Sequence, residues 1–284
     1  LLIFSTSSIS ASEKISIITS VKPLHSIVSA IAANSDQVEL LVTTNQSPHD
    51  YQLKPSQIKA MQDASIIFYF DDNFETFMSS AIDILPPKVR KSSIIENANL
   101  NLLQYRESGA WDKHLHEHDD DHDAHKDEHD EDINLHVWLD PENAKNIVNY
   151  IVKELTFINP KNHEIYEDNG KRYIEKLNNL DAELKISLSG LQDKPFIVFH
   201  DAYQYFERAF NLNAVGSISF RDDIQSVSPN RIKEIKDKIK TTNAECVFRE
   251  PQFSDRLINT IAEKADVKVG TLDPLGASLQ NDKE

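Results

Sequence analysis

The side chains with the most chemistry to offer are eleven histidines in 284 residues, and they fall into two populations. Six of them (His114, His116, His118, His122, His125 and His129) crowd into WDKHLHEHDDDHDAHKDEHDED at 111–132, beside eleven Asp or Glu. Imidazoles interleaved with carboxylates collect divalent cations by composition rather than by fixed geometry. The stretch has almost nothing apolar to bury, so a disordered insert is expected at 112–132. Three others stand singly in apolar settings: His49 in NQSPHDY, His136 in LHVWLDP and His200 in FIVFHDAY. His25 is read as facing its own helix or the cleft edge, and His163 as solvated at the start of a long helix.

In open α/β folds, ligands gather beyond the carboxyl ends of the strands. His200 directly follows the FIVF run, His49 follows the second apolar run by seven residues, and His136 sits at a loop-to-helix junction. Three imidazoles from three loops make a nitrogen donor set suited to Zn²⁺, bound tetrahedrally at about 2.0–2.1 Å. Manganese sites lean on carboxylates instead. Asp50, Asp140 and Asp201 could orient the rings or serve as caps and surface groups. Three histidines and a water also make a catalytic zinc site, but a zinc hydrolase needs a general base and a substrate pocket. The sequence displays neither.

The elements that would position these residues alternate in the manner of an α/β layered fold. Strands are predicted at Ile15–Thr19, Val38–Val42, Ile66–Phe70 and Ser93–Ile95. Helices are predicted from Pro23, from Pro55 and over Phe74–Leu85. Asp140-Pro141-Glu142 is a good helix start, with proline at the first helical position, and that helix should run to Ile158. A longer periodic segment over 164–189, interrupted by Asn169, would form a rod of roughly 39 Å able to stand alongside two lobes and join them. The alternation then resumes with strands at Phe196–Phe199, Ala214–Phe220, Glu245–Phe248 and Val267–Thr271. Helices are predicted at Ala202–Phe210, from Ser228-Pro229 to Lys240, and over Phe253–Ala265. No internal sequence repeat is visible, and six glycines leave no Gly-rich phosphate cradle.

Composition narrows the class further. The length suits two domains of roughly 100–200 residues, and the formal net charge of −16 with no basic patch excludes nucleic acid as an expected partner. LLIFSTSSISAS reads as the residue of a secretory signal over 1–11, cleaved near Ser10 or Ala11, which implies export. No run approaches the ~20 apolar residues that span a bilayer. Cys246 is the one cysteine, read as a small hydrophobe in a strand, so cysteine-built zinc modules and disulfides within this chain are excluded. A final helix is expected beyond GTLDPLG, past the point where the sequence ends.

Four motifs then agree. Ser47-Pro48-His49-Asp50-Tyr51, His136-Val137-Trp138-Leu139-Asp140-Pro141, Phe199-His200-Asp201-Ala202-Tyr203 and Gly270-Thr271-Leu272-Asp273-Pro274-Leu275-Gly276 resemble those of the zinc-binding component of bacterial high-affinity zinc ABC importers. The acidic His-rich insertion also lies where that family carries one. The resemblance implies two Rossmann-like lobes, each a parallel-rich sheet flanked by helices, joined by one long helix, with Zn²⁺ carried between them. It implies an N-terminal lobe over 12–162, a connecting helix over 163–190 and a C-terminal lobe over 191–284. It places the metal ligands on His49, His136 and His200, with a water, a loop histidine or Asp273 as the fourth. Some relatives carry a ligating glutamate just before the first histidine, where this chain has Pro48. Many zinc-binding members pair a second cysteine with one at the position of Cys246. The implied protein is a soluble periplasmic monomer that serves a membrane permease and its cytoplasmic ATPase and is not an enzyme. A manganese-binding or adhesin-like relative is the alternative.

Overall fold

The computed structural model describes residues 14–43, 46–106, 133–219, 227–263, 265 and 267–279. The signal remnant expected at 1–11 and the disordered insert expected at 112–132 lie outside the described residues.

Short apolar runs form two four-stranded parallel sheets. The first joins β1 (Ser16–Thr19), β2 (Gln37–Leu40), β3 (Ile66–Tyr69) and β4 (Arg90–Ser93) in the order β2-β1-β3-β4. All four residues of β3 are buried, as expected for a strand covered on both faces. Helices α1 (Lys22–Ala32), α2 (Pro55–Asp63), α3 (Phe77–Asp83) and α4 (Ile94–Asn97) flank this sheet. Leu24, Ile27, Val28 and Ile31 bury the inward stripe of α1, each side chain stabilising the fold by about 1.5–3 kcal/mol. Two expectations need correction. Ile94 and Ile95 open a helix rather than close a strand, because the Ser93 hydroxyl accepts from Glu96 N and caps it. The helix expected from Phe74 begins only at Phe77, because residues 70–76 fold around a buried carboxylate.

That carboxylate, Glu75, sits at the carboxyl ends of β1 and β3, where the strand order reverses. It accepts from the backbone N–H of Phe70 at 3.1 Å and of Asp71 at 2.9 Å, and from the Ser20 hydroxyl. It fills the crevice in which folds of this type commonly bind ligands.

Helix α5 (Pro141–Ile158) starts and ends where the sequence predicts, with the Asp140 carboxylate accepting from the N–H of Glu142 and Asn143. The long helix α6 (His163–Ser187) packs mainly on α5 and α1. Asn169, which breaks its apolar stripe, donates to the Ile31 carbonyl at 2.8 Å. Gly170 allows the close approach to α5, since a Cβ there would lie 2.6 Å from Val152 Cγ2.

The second sheet joins β5 (Phe196–Val198), β6 (Ala214–Ser217), β7 (Cys246–Arg249) and β8 (Lys268–Thr271) in the order β6-β5-β7-β8. Its helices are α7 (Gln204–Phe210), α8 (Pro229–Thr242) and α9 (Asp255–Ala262). The two sheets are wired identically although no repeat is visible in the sequence. Cys246 is a free, partly buried thiol in β7.

Two tests follow from this packing. Gly170→Ala should destabilise the protein by about 1–3 kcal/mol, because Val152 is β-branched and cannot swing aside; thermal unfolding would register it as a lowered Tm. Burial pushes Glu75 up to about 7, against the opposing hydrogen bonds from Ser20, Asp71 and Phe70. A raised carboxyl favours folding below its unfolded value of 4.5 and loses that contribution as pH rises through about 7. The stability gap between wild type and Glu75→Gln should therefore move by about 3 kcal/mol in favour of the variant from pH 4 to 8, read by urea unfolding. A pH-independent gap would refute it.

Candidate metal centre

Three loops deliver the singly placed histidines to one place. His49 is the middle residue of a 3₁₀ turn, Pro48–Asp50, whose preceding Ser47 hydroxyl accepts from His49 N at 3.3 Å. On the other side the Thr76 hydroxyl donates to the His49 carbonyl at 2.8 Å. His136 precedes the 3₁₀ turn Val137–Leu139 that leads into α5. His200 follows β5 by two residues. His136 and His200 are buried at 1% and 4% exposure, while His49 is half-buried at the rim.

The ring centroids of His136 and His200 are 5.1 Å apart, and those of His49 and His136 are 6.1 Å apart. The Nε2 atoms of His136 and His200 face each other at 3.2 Å. Two nitrogens on one tetrahedral zinc, each at 2.0–2.1 Å, would stand about 3.3 Å apart, so this pair already has the length of one edge of such a site. Among the described residues, no three His, Cys, Asp or Glu side chains close on a single point as placed. The His136–His200 edge is formed, and His49 stands one ring away.

The outward nitrogens explain why the inward ones face each other. His136 Nδ1 lies 2.9 Å from Asn134 Oδ1. The amide nitrogen of Asn134 is committed to the Asp201 carbonyl at 2.7 Å and Gln204 Oε1 at 3.1 Å, which leaves its oxygen for His136. His200 Nδ1 lies 2.9 and 2.8 Å from the two oxygens of Glu250, a carboxylate buried at 1% exposure. Both Nδ1 protons are thus engaged, and both Nε2 lone pairs point into the cleft. Two lone pairs at this distance call for a cation between them, either a shared proton or a metal ion.

The surroundings are apolar and small. Phe74 packs edge-on against both His49 and His136, Trp138 lies against His136, and Phe253 against His200. The cavity has a volume of ≈ 10 Å³, about one water-sized sphere. Its size matches a single ion. Among the described residues, Glu250 is the only acidic one lining the cavity.

Of the two roles left open for the aspartates beside the histidines, orienting groups or caps and surface groups, the second is the one observed. Asp140 caps α5, and Asp201 pairs with Arg106 at 2.9–3.1 Å. Asp50 is exposed. The observed orienting groups are instead Asn134 and Glu250, neither of which the sequence reading singled out. Glu250 carried one usable signal: it directly follows an apolar strand, as His200 nearly does. Asp273 is engaged in its own turn. Its oxygens accept from Ala277 N, Ser278 N and Oγ, and Gln252 Nε2. Burial alone would raise Asp273, but those hydrogen bonds hold it below the ordinary carboxylate value. His25 bonds to Ser29 and His163 to the Pro160 carbonyl, both within or beside their own helices.

The two lobes are tied together beside this pair. Arg106 forks between Asp201 and Glu207, reaching Glu207 Oε2 at 2.7 Å. Burial pushes Glu207 up against the pull of Arg106. Tyr205 donates to the Asn134 carbonyl at 2.7 Å, and Trp138 Nε1 donates to the Pro274 carbonyl at 2.9 Å.

Comparison with known proteins gives a consistent result. Residues 17–284 match the family model described as "Zinc-uptake complex component A periplasmic". The chain is 39% identical to the high-affinity zinc uptake system protein ZnuA of Brucella abortus, over 95% of this chain and 87% of that protein. Its fold is similar to a crystal structure of ZnuA, with a TM-score of 0.77 at 27% identity, covering 94% of this chain and 93% of that one. It is also similar to the Zn(II)-bound ZnuA-like domain of Streptococcus pneumoniae AdcA, with a TM-score of 0.72 at 26% identity, covering 93% and 88%.

If Asn134 and Glu250 aim the two rings, Asn134→Ala and Glu250→Ala should each weaken zinc binding about 10–100-fold. Glu250→Gln, which keeps an acceptor for His200 Nδ1, should lose much less. Competition against a chromophoric chelator measures all three, and an unchanged affinity in Glu250→Ala would count against the orienting role.

Proposed function

Because the chain belongs to the family of periplasmic zinc-uptake complex component A proteins, we propose that it binds Zn²⁺ in the cleft through His49, His136 and His200 and delivers it to the membrane permease of an ABC importer. Members of this family are transport components, not enzymes. The observation that carries the ligand assignment is the facing Nε2 pair at 3.2 Å with both outward nitrogens engaged. His49 completes three nitrogen donors by a small inward turn from the rim, and a water fills the fourth position.

The donor set favours zinc over manganese, since the carboxylate at Asp273 is taken up by its own turn. The cavity of ≈ 10 Å³ leaves no room for a hydrolase substrate. Among the described residues no helix is long and apolar enough to cross a membrane, in keeping with a periplasmic carrier that meets its permease from outside. The histidine-rich acidic segment acts as an accessory that gathers zinc near the cleft. Its composition supports this, as does the position of its flanks: Gln104 pairs with Ile133, and Arg106 bonds to Asp201, the residue after His200.

Zinc calorimetry on three proteins tests both parts. The intact chain should show one tight site and additional weak ones. Deleting His114–His129 should abolish the weak sites and keep the tight one. Changing His49, His136 and His200 together to Ala should abolish the tight site, and a tight site surviving in that protein would refute the ligand assignment. Manganese should fail to displace zinc from the intact protein at comparable concentrations.

A further inference from the structure

His136 and His200 are oriented through their outward nitrogens, and His49 is also held through its backbone and its ring face. Its backbone is gripped from both sides, by Ser47 on the N–H and by Thr76 on the carbonyl. Its ring meets Phe74 edge-on, with centroids 4.7 Å apart. Phe74 and Thr76 flank Glu75 between the end of β3 at Tyr69 and the start of α3 at Phe77, Thr76 being the residue that leads into the helix. What shapes the loop is the Glu75 carboxylate. It is fully buried and gathers the N–H groups of Phe70 and Asp71 and the Ser20 hydroxyl onto two oxygens. A buried carboxylate without such donors would be strongly unfavourable, so these bonds, with those of Phe74 and Glu75 N–H to the Asp71 carbonyl, turn the loop inward. Phe74 then projects between His49, His136 and Trp138.

We propose that Glu75 is a positioning residue for His49: its carboxylate folds the 70–76 loop, and the loop's Phe74 and Thr76 hold the imidazole at the cleft. The inference rests on the reading of His49 as a ligand. It makes the two lobes functionally alike. Each places a buried carboxylate at the carboxyl ends of its first and third strands, Glu250 acting on His200 directly and Glu75 on His49 through two neighbours. Gln is a poor substitute at position 75, because its amide would point donors at groups that are themselves donors.

A double-mutant cycle tests the proposal, with zinc affinity of the full chain read by chelator competition. Glu75→Gln should weaken zinc about tenfold in wild type and by less than about twofold in His49→Ala, because the coupling runs through the missing ring. Thr76→Val, at an exposed side chain, should give a smaller loss, about threefold, that also vanishes in His49→Ala. If Glu75→Gln fails to fold by circular dichroism, Ser20→Ala, which removes a donor to the Glu75 carboxylate, takes its place in the same cycle: a loss in wild type that vanishes in His49→Ala supports the role, and equal losses overturn it. Equal losses in both backgrounds, or no loss in wild type, would overturn the positioning role while leaving the ligand assignment intact. If His49→Ala alone leaves zinc affinity unchanged, the ligand assignment fails and the proposal falls with it.

Discussion

Everything in this cleft depends on the opposition of two imidazole lone pairs at 3.2 Å, one from each lobe. Left to themselves, two neutral imidazoles at hydrogen-bond distance would arrange one as donor and one as acceptor. Asn134 and Glu250 prevent this by occupying both outward nitrogens. The two clamps are unequal. Asn134 offers a neutral amide oxygen, whereas Glu250 offers a buried carboxylate. Asn134 is itself bonded across the lobe boundary to Asp201 and Gln204, which fixes the ring of His136.

The fold makes the opposition possible by using one wiring twice. Both sheets run in the order second, first, third, fourth strand, and in both a carboxylate occupies the point where that order reverses. In the first lobe the carboxylate is satisfied by backbone and a serine hydroxyl, and it shapes a loop. In the second it faces a histidine ring nitrogen, and so serves the cleft directly. Arg106, Tyr205 and Trp138 then hold the two reversal points against each other. The long helix contributes less to this than its length suggests, because it packs chiefly on α5 and α1.

Much of this was legible in the chain, and what was not has a common physical cause. Asp140-Pro141 set the start of α5 to the residue, since a cap and a proline act locally. His200 and His49 could be placed near strand ends because apolar runs announce parallel strands. Glu250 could not be paired with His200, since the contact spans fifty residues and depends on β5 lying beside β7. Asn134 finds the partners of its amide nitrogen in the neighbouring lobe, beyond the reach of local sequence. The helix expected from Phe74 failed for the same reason: its first turn is diverted by a carboxylate whose hydroxyl donor, Ser20, lies fifty-five residues away. Aspartates beside histidines drew attention by adjacency, but Asp140 and Asp201 are occupied by a helix cap and an ion pair.

The lining of the cavity carries an electrostatic consequence. In the proposed three-imidazole site a dication would meet, among the described lining residues, one acidic side chain, Glu250, while Asp273 spends its charge on its own turn. The occupied cleft would thus keep roughly one positive charge uncompensated among Phe74, Trp138 and Phe253. Affinity then comes from directed donor bonds and not from neutralisation. Such bonds can be undone one at a time, beginning with the half-buried ring at the rim, and the residual positive charge favours the ion's departure once the first has opened. A carrier must surrender what it binds, and an under-neutralised site keeps tight capture compatible with release.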